Sequence, residues 1–263
     1  DPNLMDKDKF PQKLSQVDQG TAKSAVVGGD KDGEQPDDVI KVKPAQYPVS
    51  KLKPSQSSMN IEKAMGMALA MIQKIGPFKG GPGGDLGAFI SNDFHIMDGH
   101  HRWVATTMVD PSAKVGGYIV NYPGAELIAV LNALTSGAYG HTKGKPATGG
   151  FSQFKEGPIR AQLEKLLAGP TEFNTPEKVQ AAIEEFTGVQ GEEAKEAAVA
   201  KFVKNLKSVS FKLPAGAPSR EDMPIIDDED VPKAVAALNK GKIDVNPPYA
   251  NEGRIRLKSL LGK

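Results

Sequence analysis

The string Phe94-His95-Ile96-Met97-Asp98-Gly99-His100-His101-Arg102-Trp103-Val104-Ala105 admits few folds. Its first part reads as a strand, Asp98-Gly99 as a turn, and the run from His100 to Val109 has helical composition up to the breaker Asp110-Pro111. A strand that opens straight into a helix needs a sheet for the one and a packing face for the other, so the chain is read as α+β.

The flanks extend that reading. Val39 to Val42 and Tyr47 to Leu52 are strand candidates, the second ended by Pro54. Ser57, Ser58 and Asn60 offer N-caps for a helix whose apolar residues Ile61, Ala64, Met65, Ala68, Leu69 and Ile72 follow the 3.6 period, and Gly76-Pro77 stops it. Lys79 to Gly87 reads as a Gly-rich loop, Ala88 to Ser91 and Phe94 to Met97 as a hairpin around Asn92-Asp93, Val115 to Tyr122 as a strand, and Ala125 to Leu134 as a helix. These elements make residues 39–137 a small mixed sheet with helices. Residues 138–157 read as a linker, and 158–213 as a helical region with helices at Pro158 to Ala168, Pro176 to Thr187 and Glu192 to Ser208. The Ala-rich stripe of the last helix calls for a partner surface in the domain or in another chain. Residues 214–263 read as an extended tail with a short helix near Val231 to Asn239, and 1–38 as an extended arm.

Composition excludes several function classes. With 28 Gly and 20 Pro, much of the chain is turn and connector. There is no Cys, which removes disulfides, thiolate metal sites, iron–sulfur clusters and cysteine nucleophiles. A formal charge of +1 rules out binding nucleic acid by bulk positive charge. Charge is uneven, however: residues 1–40 hold 5 basic and 9 acidic side chains, residues 41–80 hold 7 basic and 1 acidic. No apolar run approaches the roughly 20 residues of a membrane span, and no signal segment is visible, so a cytoplasmic or virion-associated protein with no membrane partner is expected.

The chemistry concentrates at the turn. The first N–H groups of a helix have no intrahelical acceptor and sit at the positive end of its dipole, which suits an anion. Gly99 gives a ligand access to backbone, Arg102 supplies a bidentate phosphate clamp, and His100 and His101 add donors. Asp98 is the candidate metal ligand, and Asp98, His100 and His101 are the candidate catalytic groups: a divalent cation on Asp98, and a histidine to activate water or protonate the leaving oxygen. His95 reads as strand structure, Trp103 as core, and the lone His141, in a Gly/Lys-rich stretch, as incidental.

Asp98-Gly99-His100-His101-Arg102-Trp103 resembles the phosphate-binding turn of the ParB/sulfiredoxin superfamily, in which a Gly after a strand is followed two or three residues later by Arg at a helix start. Val49 to Pro54, Asn60 to Ile72 and Val115 to Tyr122 resemble the flanking elements, so the likeness covers about residues 39–136. The resemblance implies a ParB/sulfiredoxin-like fold with a nucleotide-phosphate site, for CTP or ATP with Mg, or a nucleic-acid nuclease. It places Gly99, His100, His101 and Arg102 on phosphate and makes Lys63 similar to the basic residue that assists in sulfiredoxins. His100 stands where sulfiredoxins carry their reactive Cys, so sulfinic acid reduction is excluded. His100-His101 also replaces the Glu-Arg of the partitioning proteins.

Two other readings compete. A structural component of a large assembly such as a phage particle would use the fold as a docking body and hold protein partners through residues 1–40 and 214–263. A DNA-binding helix-turn-helix over 176–208 is the weaker one, because Glu192-Glu193 at the recognition-helix start repels phosphate.

Overall fold

In the computed structural model the described residues are 39–141, 144, 146, 149–170, 174–214, 217–223 and 225–243. The arm at 1–38 and the tail beyond 243 lie outside them.

The chain is a mixed α+β protein. Among the described residues five strands form one sheet: β1 (Val42–Pro48), β2 (Lys53–Pro54), β3 (Gly84–Ser91), β4 (His95–Ile96) and β5 (Lys114–Val120), in the order β1-β5-β3-β4-β2. β1 is antiparallel to β5, β5 parallel to β3, β3 antiparallel to β4, and β4 parallel to β2. Both edges carry proline, Pro44 and Pro48 in β1 and Pro54 in β2, where a missing N–H costs no ladder bond.

Seven helices among the described residues surround the sheet: α1 (Ile61–Ile72), α2 (His100–Val109), α3 (Gly124–Ala133), α4 (Glu156–Ala168), α5 (Pro176–Thr187), α6 (Glu193–Leu206) and α7 (Val231–Asn239). Strand alternation sorts the core into two faces. Leu86, Ile90, Ile96 and Val115 point to one, where α1, α2 and α4 to α6 pack; Val42, Phe89, Met97 and Val120 point to the other, under α3 and α7. The helical region expected at 158–213 therefore leans on the same core as α1 and α2, and the stripe Ala194, Ala198, Phe202 and Leu206 finds its partner inside the chain.

Three local expectations shift. The strand expected at Val39 to Val42 runs instead from Val42 to Pro48, because its partner β5 pairs with it along seven residues, and a 3-10 turn at Val49–Lys51 replaces the end of the second expected strand. The loop expected at Lys79 to Gly87 yields its last four residues to β3, where Gly84 and Asp85 pair with Val115 and Gly116. A π-turn, Leu134–Ala138, continues α3 up to the start of the stretch 138–157 expected as linker, which contains a 3-10 turn at Phe151–Phe154 and yields its last two residues to α4.

Candidate functional site

α2 starts where the sequence places it. Gly99 is its N-cap in the left-handed conformation (φ 74°, ψ 16°), and no side chain caps the helix. The first-turn N–H groups of His100, His101 and Arg102 thus have no intrahelical acceptor. A Cβ on Gly99 would sit 3.1 Å from Leu86 Cβ and 3.3 Å from its carbonyl oxygen, so this glycine meets the sheet rather than an open ligand space.

The two histidines turn inward. The Ser55 N–H donates to His100 Nε2 at 3.0 Å, and the Asn60 N–H donates to His101 Nε2 at 3.0 Å. Each Nε2 lone pair is thereby used, which puts the proton of the neutral ring on Nδ1. Burial, then His101, Arg220 and His95, hold the His100 imidazole well below the usual histidine range. Together the pair pins the polar segment 55–60, whose other bonds go elsewhere: the Met59 N–H to Gly149 O at 2.8 Å, and both the N–H and the hydroxyl of Ser57 to Pro218 O, at 2.8 and 3.2 Å.

Arg102 leaves the turn in another direction. Its guanidinium lies over the Phe78 ring, 5.2 Å from the centroid, and beside Gly84; its Nε is buried with no hydrogen-bond partner. It is not among the charges acting on Asp98, which are Arg220, Lys63 and Asp228.

Asp98 opens to solvent on one side and is crowded on the others. That desolvation holds its carboxyl above the ordinary value, while the Gly99 N–H, 2.6 Å from Oδ1, and the charges of Arg220 and Lys63 oppose the shift. It lines a cavity of about 70 Å³ with Gln56, Asn132, Thr135 and Arg220 as the polar wall and Phe89, Ile128 and Ile226 among the apolar one. A strap closes the cavity, whose lining includes Arg220, Met223, Ile225 and Ile226. The Arg220 N–H donates to Ser58 Oγ at 2.9 Å, and a Cβ on Gly144 would overlap the carbonyl oxygens of Arg220 and Glu221, so that approach needs glycine. Burial lowers the Arg220 guanidinium from its ordinary value and Asp98 opposes the change.

Of the sequence-derived residues, the structure brings Asp98, Gly99, His100 and Lys63 to one place, with His101 behind them and Arg102 turned away. Arg220 and Gln56 escaped sequence reasoning. Arg220 is a single cation in a Pro-rich stretch more than a hundred residues from the turn, and no local pattern marks it.

Magnesium fits poorly here. Asp98 is one carboxylate whose nearest charges include two cations, whereas an ion held by protein groups wants oxygen ligands without competing positive charge.

The chain matches no family model, no curated protein and no solved structure. Among the described residues no helix is long and apolar enough to cross a membrane.

Proposed function

We propose that this protein binds the phosphate of a nucleotide or nucleic acid at the mouth of the Asp98 cavity, using the 39–137 region as a ParB/sulfiredoxin-like module. One observation carries the reading: Arg220, more than a hundred residues along the chain, lines the cavity with Asp98 beside the uncapped N-terminus of α2, and the charge of Lys63 in α1 acts on the same carboxyl. Two cations and the positive end of the helix dipole favour a multiply charged anion over a neutral ligand. The cavity, at about 70 Å³, is well under the roughly 300–1,000 Å³ of pockets that enclose whole small molecules. It suits a phosphate group, with the rest of the ligand outside it.

Binding is favoured over cleavage. Both imidazole Nε2 atoms are occupied by backbone N–H groups, and general acid–base work at those atoms would release the 55–60 segment.

Titration of CTP, ATP and short DNA against the wild type and Lys63→Ala, followed by calorimetry, tests the proposal. Saturable binding by the wild type that weakens about tenfold in Lys63→Ala, the ~1.4 kcal/mol of one charge-assisted contact, supports it. No binding by the wild type sinks it. Without divalent metal, Asp98→Asn is expected to bind more tightly, since it removes a negative charge beside the phosphate; a loss of affinity in Asp98→Asn that appears only when Mg²⁺ is added would return Asp98 to the role of a metal ligand.

A further inference from the structure

Behind Thr135 and Ile226 of the cavity wall, the end of the α3 extension meets the start of α7. His141, whose N–H donates to Thr135 O at 3.1 Å, places its Nε2 3.1 Å from Asp230 Oδ2 and 3.5 Å from Asp227 Oδ2. The three donor atoms lie within 4.8 Å of one another. Two donors each about 2.05 Å from a tetrahedral ion stand roughly 3.3 Å apart, so both histidine–aspartate separations already have the spacing of a shared ion.

Asp230 is the most buried of the three. It stands at the start of α7 with helical backbone (φ −91°, ψ −16°), from which its carboxylate makes no capping bond. Its side chain, only 9% exposed, turns aside instead: Oδ1 takes the Lys233 ammonium at 2.6 Å and Oδ2 faces His141. A metal-ligating carboxylate is ordinarily held by an outer hydrogen bond, a role open to Lys233 here, and the His141–Asp230 contact is a hydrogen bond whose two atoms the ion would share. Asp227 to Asp230 is four consecutive acidic residues, which draws a cation, and the imidazole selects a first-row transition ion over magnesium or calcium.

We propose that His141, Asp227 and Asp230 bind a zinc-type divalent ion, with water in the fourth position, which ties the end of α3 to the start of α7 and so anchors the strap that carries Arg220. The proposal stands independently of phosphate binding at Asp98.

The test uses the metal-stripped full chain, titrated with Zn²⁺ in competition with a chromophoric chelator. His141 and Asp227 side chains are 31% and 59% exposed, so replacing them opens no core. One equivalent of uptake is expected, weakened tenfold or more in His141→Ala and in Asp227→Asn and unchanged in Glu229→Gln. Uptake by neither wild type nor variants overturns the proposal, as does uptake that survives both substitutions. Displacement of zinc by an equal concentration of Mg²⁺ would also overturn it, because an imidazole site does not choose the harder ion.

Discussion

Gly99 and His100 are adjacent and serve the turn by different physics. Gly99→Ala forces a Cβ into left-handed backbone and against Leu86, so at least the ~1–2 kcal/mol of the backbone penalty is expected in urea unfolding; a loss below ~0.5 kcal/mol would contradict that geometry. His100 responds to pH. Its folded pKa is depressed, so its neutral form contributes fully above the unfolded value near 6.5. Below that pH the unfolded chain takes up a proton that the folded one refuses. Stability then falls by up to about 1.4 kcal/mol per pH unit until pH reaches the folded pKa. Unfolding free energies at pH 7.5 and 5.5 should show this acid loss in the wild type and a smaller one in His100→Gln; equal losses would place the proton elsewhere.

At the scale of elements, α2 is the hub, and its C-terminal end is satisfied by a distant group. The Asn205 amide of α6 donates to Met108 O at 2.7 Å and Val109 O at 3.3 Å, closing the C-terminal end that the helix cannot close itself. Asn205→Ala is expected to cost about 1–2 kcal/mol of stability in denaturant unfolding while leaving phosphate affinity unchanged. What was legible from sequence followed local chemistry: α1 begins after Asn60, whose side chain accepts the Lys63 N–H at 2.9 Å, and α5 begins with Pro176 after Thr175. What was not legible depends on partners. Gly84 and Asp85 have no strand propensity and enter β3 because β5 offers them a ladder; β1 runs through Pro44 because it lies at an edge. The site divides the same way. Asp98 was singled out from the turn and Lys63 from the resemblance, but that His100 and His101 would face the 55–60 backbone, and that Arg220 would lie beside Asp98, are products of tertiary packing.

Across the whole molecule, the strap that carries Arg220 turns a helix N-terminus into an enclosed site. It is held by Ser57 and Ser58 on one side and approached by Gly144 on the other. Gly144→Ala therefore displaces the strap and, through Arg220, is expected to weaken phosphate binding with little change in the core. The comparison that tests the central claim most directly is the equilibrium affinity of a labelled nucleoside triphosphate for the wild type, Arg220→Ala and Arg102→Ala. The arrangement described predicts a loss of about tenfold or more in Arg220→Ala, in line with one charge-assisted contact, and a change under about threefold in Arg102→Ala, whose guanidinium stacks on Phe78. Loss in Arg102→Ala with Arg220→Ala unaffected would contradict it.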